Sequence, residues 1–161
     1  DARRIWTAGE RLRFGTNDGK IMEFYTDSRD PDSYNDDGSA INAHWDTPMI
    51  STEAFYMQKS FRYMAVKLLA AAATGLKTYV QTRGIWRELF EESASFRYLD
   101  FSSIDFSKLT FSGDMTPKTF GRKIRVNKVD KARFRMENNK LREPFGLYNL
   151  ALEFTENGKI K

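Results

Sequence analysis

Short segments in which apolar and polar residues alternate, each closed within a few positions by a turn signal, run through most of this 161-residue chain. Alternation with period two places every second side chain on one face of a strand. Arg11–Gly15 and Lys20–Tyr25 form such a pair, joined by Thr16-Asn17-Asp18-Gly19, residues that accept the positive φ of a tight hairpin turn. Ile41, Ala43 and Trp45 alternate with Asn42, His44 and Asp46 until Thr47-Pro48, where proline removes a ladder donor. Leu76–Arg83 sorts Lys77, Tyr79 and Gln81 onto one face and Leu76, Thr78, Val80 and Thr82 onto the other. Arg83-Gly84 then turns into Ile85–Glu91. Further strands are marked by Phe120, Ile124 and Val126, by Ala132, Phe134 and Met136, and by Tyr148, Leu150, Leu152 and Phe154. Val129-Asp130 joins the first two of these, a polar loop from Asn138 to Gly146 precedes the last, and Asn157-Gly158 is a signal to turn the chain back. Strands this short and this regularly punctuated predict an all-β fold: an antiparallel β-sandwich, jelly-roll-like, over residues 48–161. Residues 1–47 form a small hairpin or blade-like β-extension before it.

Two stretches fit this scheme less simply. In Tyr56–Ala73 the residues Phe61, Met64, Ala65, Leu68, Leu69 and Ala72 lie at helical spacing, while Phe61, Tyr63 and Ala65 also alternate with Arg62 and Met64. The neighbouring strands favour one long strand over a helix. From Leu99 to Gly113 the chain reads LDFSSIDFSKLTFSG, with Phe101, Phe106 and Phe111 five apart, each followed by serine. A period of five belongs to neither helix nor strand and is similar to a pentapeptide β-helix, but three pentads are too few to stack a core. A bent crossing segment that contributes three Phe rings to a core is the preferred reading.

Composition narrows the chemistry. The chain has no cysteine, which removes thiol catalysis, disulfides and the common zinc sites and fits synthesis in a reducing compartment. His44 is the one histidine, so a metal site or a catalytic triad would rest on a single imidazole. The longest apolar run, Leu68–Ala73, is too short to cross a bilayer, and no membrane partner is expected. The opening Asp1-Ala2-Arg3-Arg4 has neither an initiator Met nor a signal-peptide pattern, so a processed product or a piece of a longer protein is expected.

No phosphate-binding glycine loop, serine elbow or zinc-protease motif is present in the sequence, and no cofactor is expected. Asp100 and Asp105, on either side of Phe101, are the pair of carboxylates to test first for glycoside hydrolysis, though at a bend such residues ordinarily bond backbone groups. Asp27–Ser39 holds five aspartates, but a calcium-loop register with Gly38 sixth puts His44 where a bidentate glutamate belongs. That loop is read as solvated. The chain is therefore expected not to be an enzyme.

Charge is unevenly spread: residues 1–50 carry six Lys/Arg against ten Asp/Glu, and residues 51–161 carry twenty against twelve. Arg122, Lys123, Arg125, Lys131, Arg133 and Arg135 form the candidate interface, with Lys128, Lys140 and Arg142 nearby. Arg133 and Arg135 share one strand face, expected to be the solvent side. A protein-contact face is preferred to a phosphate-tracking one, since no aromatic RNA-binding motif accompanies it. Tyr34, Tyr56 and Trp86 offer an alternative role, stacking on sugars in a carbohydrate-binding sandwich for receptor binding or adhesion.

Several strings together carry a resemblance: Phe14-Gly15-Thr16-Asn17-Asp18-Gly19-Lys20-Ile21, Asp36-Asp37-Gly38-Ser39-Ala40-Ile41, Trp45-Asp46-Thr47-Pro48, Lys59-Ser60-Phe61-Arg62-Tyr63, Gly84-Ile85-Trp86, the Asp-Phe-Ser pentads and Pro144-Phe145-Gly146-Leu147-Tyr148. The chain resembles the end of a β-rich structural protein of tailed bacteriophages, in which a β-propeller-like portion runs into a C-terminal β-sandwich. The resemblance implies a non-enzymatic virion part of the tail, neck or head–tail joint, made in the bacterial cytoplasm. It implies assembly by contacts with other virion proteins, oligomeric in the particle, and carries over no catalytic residue.

Overall fold

The structure, a computed structural model, describes residues 2–24, 31–69, 73–95 and 117–159. The phenylalanine pentads, with Asp100 and Asp105, lie outside the described residues. The chain divides into two compact units, Asp1–Ser33 and Tyr34–Lys161.

In the first unit β1 (Ala2–Ala8), β2 (Arg11–Thr16) and β3 (Ile21–Glu23) form an antiparallel meander. The β2–β3 turn is the one read from Asn17-Asp18-Gly19: the Thr16 amide donates to the Lys20 carbonyl (2.9 Å) and Gly19 takes a φ of 84°. The register sets Ile5 beside Phe14 and Phe14 beside Met22, so these side chains share one face, on which the Phe14 and Phe24 rings lie 5.1 Å apart. On the opposite face Arg11 and Arg13 both reach Glu23, at 2.5 and 2.8 Å. Gly9, at a φ of 66°, and Glu10 turn β1 into β2, but Ala2–Ala8 lacks the alternation that would mark it as a strand in the sequence.

The second unit is the sandwich. Its strands are β4 (Asn35–Asp36), β5 (Ser39–Ala40), β6 (Ala43–Asp46), β7 (Met57–Leu68), β8 (Ala73–Thr82), β9 (Ile85–Ser95), β10 (Lys118–Val129), β11 (Arg133–Asn138) and β12 (Leu147–Lys159). β4 and β5 are a two-residue hairpin turned by Asp37 and Gly38, both at positive φ. One sheet has the order β10-β7-β12 and the other β6-β11-β8-β9, every neighbour antiparallel. Between them lies the core: Phe61, Met64, Val66 and Leu68 from β7, Ile124 and Val126 from β10, Leu76 and Val80 from β8, and Phe134 and Met136 from β11. The sequence places the boundary between extension and sandwich after residue 47. In the structure β6 pairs with β11, so Ala43–Asp46 is an edge of the sandwich itself.

Within Tyr56–Ala73, Met57–Leu68 is a strand and not a helix, and its burial explains the ambiguity. Phe61, Met64, Val66 and Leu68 face the core while Arg62 and Tyr63 are both exposed. Opposite these two residues both partners slip register, between Lys123 and Val126 on β10 and between Glu153 and Phe154 on β12. This irregularity turns an inward spacing of two into one of three, which imitates a helical step. The second departure concerns Asn157-Gly158, which do not turn the chain: both stay in β12, where Asn157 Nδ2 donates to Ser60 Oγ (2.7 Å) across to β7. The sheet itself takes up the extra length there, as another register shift between Glu156 and Lys159.

Phe61 packs edge-on against Phe134 (5.1 Å, 74°) and also touches the Phe154 ring at 5.6 Å. Phe61→Ala should therefore cost about 3–5 kcal/mol in urea unfolding, the loss of a large buried aromatic plus its cavity. The Arg83-Gly84 turn, with φ of 51° and 82°, closes β8 onto β9 with a left-handed arginine. Arg83→Asn, which accepts that conformation more readily, should raise stability by about 0.5–1 kcal/mol in the same assay.

Candidate interaction surfaces

The six basic residues of the candidate interface do not form one surface. Arg122, Lys123 and Arg125 lie on β10, at the edge of the three-stranded sheet. Arg133 and Arg135 lie on β11, inside the four-stranded sheet, and Lys131 sits in the connection between the two strands. Adjacent in sequence, they are parted because the chain changes sheets at Asp130–Ala132.

Several of these charges are also engaged. Arg122 forms an ion pair with Glu92 of β9, and Arg87 Nη2 donates to the Arg125 carbonyl at 3.0 Å. The two contacts tie the β9 edge of one sheet to the β10 edge of the other. Arg135 meets Asp46 in a two-pronged bridge, Nε to Oδ1 at 2.7 Å and Nη2 to Oδ2 at 2.9 Å. Its guanidinium lies 4.5 Å from the centre of the Trp86 ring. Arg135 is thus wedged between a carboxylate and an indole, with 29% of its side chain exposed. Arg133 and Arg135 do share the face opposite the buried Phe134 and Met136, but both are half-buried there, and Arg133 Nε is shielded from solvent. Trp86 is half-buried and carries Arg135 against its ring, so it is not a bare platform for a sugar. His44 is on β6 opposite Glu137, two residues along the same pairing from Asp46.

A second surface was not legible in the sequence. Lys59, on β7, is completely buried, and its ammonium donates to the carbonyls of Ala54 and Met57, each at 2.9 Å. No carboxylate is among these partners. The lysine is a clasp: it gathers one backbone acceptor from the turn before β7 and one from the first residue of β7, which satisfies two of its three donors. At the tip of that turn Phe55 and Tyr56 stand 71% and 52% exposed, their rings packed edge-to-face at 5.8 Å. Two residues before Phe61, Lys59 falls on the same face of the strand, but a lysine there reads as solvent-facing by its charge, and the fold shows what it bonds inside. Among the described residues, no group of three or more His, Asp or Glu side chains is placed to hold a metal ion, and no helix is long and apolar enough to cross a membrane.

No family model, curated protein or solved structure matches this chain.

The Asp46–Arg135 bridge makes a pH-dependent contribution. Hydrogen bonds from Arg135 hold the Asp46 carboxyl below its usual range, outweighing the partial desolvation that pushes it up. A carboxyl depressed in the folded state stabilises above its unfolded pKa of about 3.9, and that stabilisation is lost as pH falls through the lower folded value. Urea midpoints of the parent and of Asp46→Asn should therefore differ at pH 6 and converge as pH is lowered below about 4.

Proposed function

We propose that this protein is a non-enzymatic structural and assembly module of a tailed-phage virion, in the tail, neck or head–tail joint, working through contacts with other virion proteins. The observation that carries the proposal is the Phe55–Tyr56 turn clasped by Lys59. Removing an ammonium from water is costly, and the two carbonyl hydrogen bonds that offset this cost also order a turn whose exposed part is two aromatic rings. Rigid, exposed aromatics supply contact area at a small entropic cost, and anchors of this kind dominate protein–protein binding. The phage-like strings of the sequence supply the class of partner, and the division of the basic cluster between two sheets weakens the case for a phosphate-tracking surface.

The test follows the protein through particle assembly. In bacteria producing the particle, the parent chain should sediment with virions. The pair Phe55→Ser and Tyr56→Ser should shift it to the free fraction, with circular dichroism and unfolding midpoint unchanged because both side chains are already in solvent. Free sedimentation of the parent chain would overturn the reading. Binding on a glycan array that is lost in Trp86→Ala would replace it with a carbohydrate-binding role.

A further inference from the structure

Four strand edges bound the two sheets of the sandwich, and they differ in what they offer. β9 and β10 are tied to one another by the Arg122–Glu92 pair and the Arg87 hydrogen bond. β6 is only four residues long. β12 runs for thirteen residues and, among the described residues, pairs with β7 alone. A long strand with one unsatisfied row of amides and carbonyls is a template for another strand.

β12 is not uniformly suited to that role. Register shifts interrupt it between Leu147 and Asn149, between Glu153 and Phe154 and between Glu156 and Lys159, and the longest regular stretch left is Asn149-Leu150-Ala151-Leu152-Glu153. This stretch is symmetric in character about Ala151. Leu150 and Leu152 point toward the core, each only half-covered at the sheet edge, while Asn149, Ala151 and Glu153 are exposed. Setting the segment antiparallel to itself about a two-fold axis at Ala151 puts Leu150 beside Leu152 of the copy and Asn149 beside Glu153 of the copy. The apolar pair continues the core across the junction, and the amide of Asn149 faces a carboxylate it can donate to. Centring the axis on Glu153 instead would oppose two carboxylates, which is unfavourable. Centring it on Leu152 would draw the irregular position at Phe154 into the pairing.

We propose that the β12 edge pairs antiparallel with the β12 edge of a second copy of this chain, joining two three-stranded sheets into one six-stranded sheet with its two-fold axis at Ala151. The contact is isologous, and it deepens the assembly reading by naming one partner, a second copy. It uses an edge distant in sequence from the Phe55–Tyr56 turn, so either can fail without the other.

The test uses the full chain. Sedimentation equilibrium should show a monomer–dimer equilibrium. Asn149→Glu sets two Glu–Glu contacts across the axis, while within one copy it places a carboxylate opposite Lys67 of β7, which the monomer tolerates. It should weaken dimerisation by about tenfold or more. Adding Glu153→Lys to it restores opposite charges across the axis and should recover most of that loss. Because the chain has no cysteine, Ala151→Cys introduces a single thiol beside its own copy and should form a disulfide-linked dimer on mild oxidation. Glu156→Cys, equally exposed but off the axis, should not. A chain that stays monomeric, or a dimer that Asn149→Glu leaves intact, would overturn the pairing. So would an Ala151→Cys variant that cross-links no faster than the Glu156→Cys variant. Each of these results would leave the particle-association test of the aromatic turn standing.

Discussion

Phe61 and Phe134 meet edge to face at 5.1 Å, and the two sheets of the sandwich are held in register around that contact. Phe61 belongs to β7, the middle strand of one sheet, and Phe134 to β11, an interior strand of the other. Around Phe134 the backbone is pinned as well. Its carbonyl accepts from the Thr47 amide at 2.8 Å and its amide donates to Thr47 Oγ1 at 3.0 Å. One residue therefore fixes the aromatic centre of the core and the path of the chain where it leaves β6. A T-shaped pair is directional in a way that aliphatic packing is not, because the ring edge must address the face of its partner. Around that pair Met64, Val66, Leu76, Val80 and Met136 fill the rest of the space between the sheets.

Strands whose inward residues keep strict alternation were legible. β8 buries Leu76, Thr78 and Val80 on the face the alternation assigned to them, and β11 buries Phe134 and Met136. What escaped a local reading was everything that breaks the period. The irregularity at Arg62 and Tyr63 produces a three-residue step on β7 that a pattern cannot separate from a turn of helix. At Asn157-Gly158 the composition signals a hairpin, but Asn157 instead uses its side chain to bond Ser60, a partner nearly a hundred residues earlier. Turn residues near the end of a strand state a local preference, which a distant hydrogen bond can override.

The candidate surfaces teach a similar lesson about charge. Nine basic residues within Arg122–Arg142 look like one patch when written in a line, yet a sandwich sends consecutive strands to opposite sheets. Arg122 and Arg135 then find carboxylates, Glu92 and Asp46, that lie far from them in the sequence. Net charge survives this rearrangement, but local potential does not, because each pair cancels within a few ångströms. Lys59 is the reverse case. Its spacing from Phe61 puts it on the inward face, but its role appears only once Ala54 and Met57 present their carbonyls to it.

The order of strands in the three-stranded sheet has a consequence for how the chain is made. β7, at its centre, has both of its neighbours, β10 and β12, later in the sequence. As the chain leaves the ribosome, β7 emerges with an apolar face and two open edges, and no partner in its own sheet exists until β10 follows. Its second edge closes only when β12, the last described strand, has been synthesised. β6 waits similarly for β11, across the 89 residues that separate Asp46 from Arg135. Long loops of this kind must be closed before their contacts offset the lost entropy, so this sheet folds slowly and is complete only once β12 has been made. A ribosome that stalls between β10 and β12 leaves β7 with one edge open, a template for pairing with another chain.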